Sequence, residues 1–234
     1  MNLVDVRAEL EEELAWRLEE IRFFRNRLAE LPDVPDQERY FKSLVVMLYA
    51  NFEGFWKTAF TIYLTEINRE RIQSGDAVEQ IVAASMGDLF QAITDPNKKS
   101  DFFRNAAPDD TGLHRFARQS EFAGRLHDVM GSSIEIPIET VLDTESNLTP
   151  TVVRKTLFRM GFPHDEFASD ESTVNQLLRR RNDIAHGSAR YGIRISDYRN
   201  LESAVIGIMK RVVVFIFESL DGKKYMKQDE TAAT

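Results

Sequence analysis

Apolar residues recur at every third or fourth position from Leu3 to Leu31, through Val6, Leu10, Leu14, Leu18, Ile21, Phe24 and Leu28. That spacing predicts a helix with one buried stripe, stopped by Pro32 and Pro35. The acidic run Glu11 to Glu13 falls mostly off the stripe and is expected to face solvent. A second long helix is predicted from about Asp36, as N-cap, to Ser74, with Gly75 just past its end. Phe41, Leu44, Val45, Leu48, Phe52, Phe55, Trp56, Phe60, Tyr63, Leu64 and Ile67 give it an apolar band wider than one neighbour would cover. Such a helix belongs in the centre of a bundle or is shared with a second subunit.

The pattern breaks between residues 75 and 150, which hold five of the eleven glycines and four of the seven prolines. Short helices are predicted near 76–84, 86–94 and 112–130, and the alternation from Ile134 to Ile138 suggests an extended segment or short strand. Order returns with Thr149 as N-cap and Pro150 at the first helical position, in a helix ended by Gly161 and Pro163. A further helix is expected from Asp170 to His186, stopped by Gly187, and a final one from Ser196 or Asp197 to Leu220. The fold class is therefore all-α: an antiparallel helical bundle over residues 1–222. Residues 75–140 form a variable, partly irregular insertion, and 223–234 a polar tail expected to fray.

Composition narrows the chemistry. Cysteine is absent, which removes disulfides, thiolate metal sites and cysteine nucleophiles. The four histidines, His114, His127, His164 and His186, have no pairwise spacing that would set two on one helical face. Neither a metal centre nor a cofactor is expected. The formal charge of −8 argues against coating a polyanion by bulk charge. The N-terminal stretch is acidic and amphipathic, unlike a secretion signal, and no apolar run approaches the roughly 18 residues of a membrane span. The expected setting is cytoplasmic, with no membrane partner.

One segment concentrates cationic and titratable groups, Leu177-Leu-Arg-Arg-Arg-Asn-Asp-Ile-Ala-His-Gly187. Arg181 and His186 are separated by four residues on a continuous helix, and Asn182 and His186 share a face. Arg159 and His164 have the same spacing, but Gly161 and Pro163 break the helix between them. The set suits cleavage of an RNA phosphodiester. Histidine titrates near neutrality and can act as base or acid, Arg181 can grip a phosphate bidentately, and Asn182 can orient phosphate or imidazole. One imidazole cannot readily serve both proton transfers at once, which calls for a second copy in a symmetric dimer. Arg179, Arg180, Arg190 and Tyr191 flank the set as candidate substrate-binding residues, against solvated charge or packing as the plainer reading of each. Asp183 reads as a local salt-bridge partner and Tyr198 as structural. Glu53, polar amid apolar neighbours, either pairs with an arginine near the site or is partly exposed.

Arg181-Asn-Asp-Ile-Ala-His-Gly187 resembles the Arg-x4-6-His signature of HEPN domains, with a polar residue directly after the arginine. Leu48-Tyr-Ala-Asn-Phe-Glu-Gly-Phe55, Ser146-Asn-Leu-Thr-Pro150 and Leu157-Phe-Arg-Met-Gly-Phe162 are similar to the MAE-type HEPN subgroup. The likeness covers about 1–74 and 140–220. It implies a dimeric helical domain whose two Arg/His motifs meet at the subunit interface. It also implies a metal-independent endoribonuclease with Arg181, Asn182 and His186 as the catalytic set, RNA as substrate, and a toxin or antiviral-defence role beside a cognate antitoxin or defence partner. Non-catalytic members that bind RNA, a nucleotide or a protein are the alternative. HEPN toxins silenced by nucleotidylation resemble Arg-x4-His-x-Tyr; Ser188 stands where that tyrosine would be, and Tyr191 comes three positions later.

Overall fold

The computed structural model describes residues 1–228 apart from 32, 96, 104, 108 and 144–146, and leaves aside the side chains of 88, 92 and 127. Pro32 and Ser146 of the sequence reading fall outside the described residues. The described chain is helical, with no named strand among the described residues.

Helix α1 runs Leu3–Asn26, capped by Asn2, whose side chain accepts from the Val4 amide. A 3-10 turn, Arg27–Glu30, finishes the stretch the apolar spacing had assigned to one helix. Helix α2 spans Val34–Glu70. Its N-cap is Asp33 rather than Asp36, and the Asp33 carboxylate accepts from the Asp36 amide at 2.9 Å. Pro35 therefore helps to start α2 instead of only stopping α1, because proline costs nothing in a first turn, where the amide has no helical partner. At the other end Arg71, at φ 49°, turns the chain out before the expected Ser74. All eleven residues of the predicted apolar band are buried, so the helix is central.

The insertion begins with α3 (Glu79–Ser85) and α4 (Gly87–Thr94). A 3-10 turn at Asp101–Phe103 leads to α5 (Thr111–Met130), and the short α6 (Ile138–Val141) follows. Helices α4 and α5 pack on each other through Phe90 and Phe122, with ring centroids 6.1 Å apart. No described residue from 87 to 130 belongs to the main hydrophobic core. The segment around Ile134–Ile136 is extended and buried against the end of α2, where the Asn68 side chain grips the Ile136 peptide from both sides at 2.8 and 3.1 Å. Only an isolated bridge, Gln73 to Ser133, pairs it, so it stays short of a strand.

Helix α7 covers Pro150–Arg159, with Thr149 accepting from the Val152 amide as expected, and ends before Gly161 at φ +82°. After a 3-10 turn at Ala168–Asp170 come α8 (Glu171–Ala185) and α9 (Ile195–Asp221). Contacts set the directions. Tyr40 donates to the Phe24 carbonyl at 3.1 Å and Arg17 lies against Gly54, so α1 and α2 are antiparallel. Phe41 meets Tyr198 near one end and the Val78 amide donates to the Tyr225 carbonyl beyond the other, so α2 and α9 run the same way. Phe167 packs edge-on against Trp56 and Arg181 covers Tyr49, so α8 returns antiparallel to α2. The result is an up-down-up-down bundle, α2 and α9 in the middle with α1 and α8 to either side.

Aromatic rings fill the seam: Phe52, Trp56 and Phe60 step along α2, and Trp56 meets Phe167 while Phe60 and Tyr63 meet Phe162. Each fully buried ring contributes roughly 1.5–3 kcal/mol through apolar area removed from water. The segment after Gly222, expected to fray, is held here as far as Lys227. Tyr225 is buried and the Lys227 amide donates to the Asp76 carbonyl at 2.8 Å, because one aromatic side chain finds a place in the core beneath the insertion. Residues 229–234 lie outside the described residues.

Candidate functional site

The C-terminal half of α8 is built to turn Arg181 inward. Val174 and Leu177 bury the preceding turns, and Arg181, one turn beyond Leu177, continues that inner face toward α2. Its guanidinium carbon stands 4.2 Å from the centre of the Tyr49 ring, a cation–π stack. One amino group, Nη1, donates to Asn182 Oδ1 at 2.9 Å, and the other, Nη2, donates to Asn147 Oδ1 at 2.7 Å. Neither acceptor is charged, and Arg181 has no ion pair among the described residues, so these contacts orient the guanidinium without neutralising it. Of its five N–H groups these two contacts use two, which leaves donors for an anion.

Tyr49 is itself fixed. Its hydroxyl oxygen accepts from the Leu148 amide at 2.9 Å, tying α2 to the lead into α7 that carries Asn147. Burial pushes the Tyr49 hydroxyl above its ordinary pKa and Glu53 adds to this, while the Leu148 amide and Arg181 pull the other way. Glu53 makes no ion pair among the described residues, and its effect is felt by Tyr49 rather than by an arginine. Sequence reasoning gave no role to Tyr49 or Asn147. Tyr49 lies in the Leu48–Phe55 segment and Asn147 in the Ser146–Pro150 segment, both of which resembled HEPN domains, and that overlap was the available signal.

His186 occupies the C-terminal cap of α8, its amide donating to the Asn182 carbonyl at 2.9 Å, and Gly187 at φ +72° ends the helix as predicted. Its imidazole is exposed and has no hydrogen bond or ion pair among the described residues. Asn182 lies on the helix surface between the two, about 100° from Arg181 and about 40° from His186.

The flanking candidates divide. Arg180 lies 3.7 Å from Asp197 at the start of α9, while Arg179 is exposed with no ion pair among the described residues. Arg190 and Tyr191 stand on the loop from Gly187 to Arg194, and Tyr191 is 86% exposed, leaving its ring face open. That loop is clamped to α2: the Ile193 amide donates to the Glu38 carbonyl at 3.0 Å and Lys42 donates to the Ala189 carbonyl. Asp183 accepts at its backbone carbonyl from Ser188 Oγ and the Ala189 amide, both at 3.0 Å, and forms no ion pair among the described residues, so it shapes the turn rather than a salt bridge. Tyr198 is buried, donates weakly to Glu202, and belongs to the core.

The competing pair at the same spacing does not assemble. His164 is exposed beside Asp165 at 3.8 Å, and Arg159 lines an apolar groove of about 490 Å³ between α3, α6 and α7 that contains no residue of the predicted site. Among the described residues no group of three or more His, Asp or Glu side chains is placed to hold a metal ion. Likewise no described helix is long and apolar enough to cross a membrane.

A family model matches residues 12–217, that of RiboL-PSP-HEPN. The chain belongs to the RiboL-PSP-HEPN family. HEPN domains are all-helical and are often ribonucleases or nucleotide-binding modules. The match spans the bundle and the insertion alike. No curated protein and no solved structure matches the chain.

Proposed function

We propose that this HEPN domain is an endoribonuclease that cuts RNA without a metal ion, through attack of a 2′-hydroxyl on the adjacent phosphate. The observation that carries the reading is the state of Arg181: a guanidinium pinned by a ring face and two neutral amides, with no ion pair among the described residues, on the same helix end as an exposed imidazole that has no hydrogen bond or ion pair among the described residues. Arg181 binds the phosphate and stabilises charge developing on it in the transition state. Asn182 sets the guanidinium and offers its amide nitrogen to the substrate. His186 takes the 2′-proton or supplies one to the leaving 5′-oxygen.

The second proton transfer falls to His186 of a symmetric partner, so the working unit is a homodimer with composite sites. The 43% exposed Ile195, at the start of α9, is apolar surface that a second copy would cover. Arg179, Arg180 and Arg190 extend the cationic surface along the strand, and Tyr191 offers a stacking platform for a base. Single strands and loops are the substrates, since their bases and 2′-hydroxyls are within reach. The biological setting we assign is a cytoplasmic toxin or antiviral-defence effector, held in check by a cognate antitoxin or defence partner protein. Kinship with the MAE-type subgroup rests on the Leu48–Phe55, Ser146–Pro150 and Leu157–Phe162 sequence segments.

A non-catalytic module binding RNA, a nucleotide or a protein is the second reading, favoured by the extent to which Arg181 already serves the bundle. Product chemistry separates the two. In excess EDTA the purified chain is expected to cut single-stranded RNA and leave 2′,3′-cyclic phosphate ends, with a light-scattering mass of two chains. Cleavage that appears only with added divalent metal, or a mass of one chain in an active sample, contradicts the mechanism.

A further inference from the structure

Arg181 is one corner of a closed circuit that no motif describes. Its guanidinium stacks on Tyr49 at 4.2 Å; the Tyr49 hydroxyl accepts from the Leu148 amide at 2.9 Å; the preceding residue, Asn147, accepts from Arg181 Nη2 at 2.7 Å. Three separate pieces of the chain, α2, the lead into α7 and α8, are thereby joined around a single cation. Tyr49 is buried to 4% exposure, and Asn147 and Arg181 are half-buried. A cation in such a place is ordinarily paired with a carboxylate, since an unpaired charge loses hydration without recompense. Here an amide oxygen occupies the position a carboxylate would take.

We infer that Tyr49 and Asn147 are positioning residues for the phosphate-binding Arg181, selected to hold it by neutral contacts so that its full charge is kept for a phosphate. This inference rests on the proposed nuclease reading of the site. Neither residue touches the reacting atoms. The ring fixes the plane of the guanidinium, and Asn147 and Asn182 engage Nη2 and Nη1, which leaves the remaining N–H groups pointing along fixed directions. The chemical consequence is specific. Replacing the Asn147 amide by an isosteric carboxylate preserves the hydrogen bond and strengthens it, yet pairs the guanidinium and withdraws it from substrate. A residue that mattered only for stability would tolerate or welcome that change.

The test uses the full chain and three variants, Tyr49→Leu, Tyr49→Phe and Asn147→Asp, each alone and combined with Arg181→Ala. Single-turnover cleavage of a single-stranded RNA and fluorescence anisotropy with its non-cleavable 2′-deoxy analogue are read beside the thermal midpoint. Asn147→Asp is expected to keep or raise the midpoint while cutting and binding fall by about ten- to a hundredfold, the cost of a displaced or neutralised positioning group. Tyr49→Phe, which keeps the ring, stays within a few-fold of wild type, and Tyr49→Leu falls with Asn147→Asp. In the Arg181→Ala background none of the three produces a further loss, because each acts through Arg181. Losses that add to that of Arg181→Ala, or an Asn147→Asp chain that binds and cuts like wild type, overturn the inference. A wild type that binds the analogue without cutting RNA refutes the nuclease reading alone, and the same cycle measured on binding then decides the positioning roles. A wild type that neither binds nor cuts refutes both.

Discussion

At the scale of single residues the role proposed for Arg181 depends on the difference between a guanidinium and a plain positive charge. Arg181→Lys keeps the charge and loses both the flat face against Tyr49 and the forked donors to Asn147 and Asn182. Its expected result is a folded chain that still binds a 2′-deoxy oligonucleotide weakly and cuts RNA at least about tenfold more slowly than wild type, measured under single turnover. A Lys variant with wild-type rate would reduce Arg181 to a point charge. The placing of Arg181, Asn182 and His186 together at one helix end was legible in the sequence because they lie on, or directly cap, one continuous helix, where spacing translates directly into geometry. Tyr49 and Asn147 were not, since they come from residues 132 and 34 positions upstream of Arg181 and only the tertiary fold brings them in. Glu53 shows the same limit: its polar place in an apolar helix left pairing and partial exposure both open, and the fold gives partial exposure, with no ion pair among the described residues.

Among elements, α8 and the loop that follows it act as one part. Gly187 at φ +72° turns the chain, and Gly192 lets the loop approach α2. A Cβ at position 192 would lie 2.4 Å from Glu38 Cβ and 2.9 Å from the Glu38 carbonyl carbon. The backbone at Glu38 belongs to the first turns of α2 and has little room to yield. Gly192→Ala is therefore expected to destabilise the fold by about 1–3 kcal/mol and to displace Arg190 and Tyr191 from the site. A thermal melt and RNA cleavage read this together, and an unchanged midpoint would mean the clamp between loop and helix is dispensable. The element order was legible because long amphipathic runs carry their own period, and because Thr149-Pro150 and His186-Gly187 are local signals that act alone. The starts and stops of α2 were less so. Asp33 and Asp36 are both good caps three residues apart, and the choice between them follows from where the chain enters from α1, which no local pattern encodes.

For the whole molecule, two features separate stability from function. None of the described residues from 87 to 130 belongs to the main core, so exchanging the segment for a Gly/Ser linker is expected to leave a single cooperative helical transition in circular dichroism, with RNA cleavage as the separate readout of what the insertion adds. Loss of the cooperative transition would show that α4 and α5 support the bundle. The buried tyrosines set the alkaline limit. Burial raises the hydroxyls of Tyr63 and Tyr198 above the ordinary value of 10.0. A group whose pKa is raised by folding holds its proton more tightly when folded, so its contribution is complete below about pH 10 and is lost as pH rises beyond it. The thermal midpoint is expected to hold steady below that pH and fall above it, and Tyr63→Phe, which deletes a buried hydroxyl with no hydrogen-bond partner among the described residues, should soften the fall.

Charge is unevenly shared at this scale too. Residues 177–200 contain six arginines and two aspartates, a local +4 within a chain of −8, so the remainder carries −12. Under the proposed reading, RNA would be repelled over most of the surface and held by a few phosphates at the end of α8, which would confine cleavage to one place. The measurement that tests this account most directly is the rate at which His186→Ala cuts single-stranded RNA in excess EDTA, relative to wild type at equal helical content. The account predicts a loss of about 10²- to 10⁴-fold with binding of a 2′-deoxy analogue retained. A His186→Ala chain that cuts RNA at the wild-type rate would contradict it.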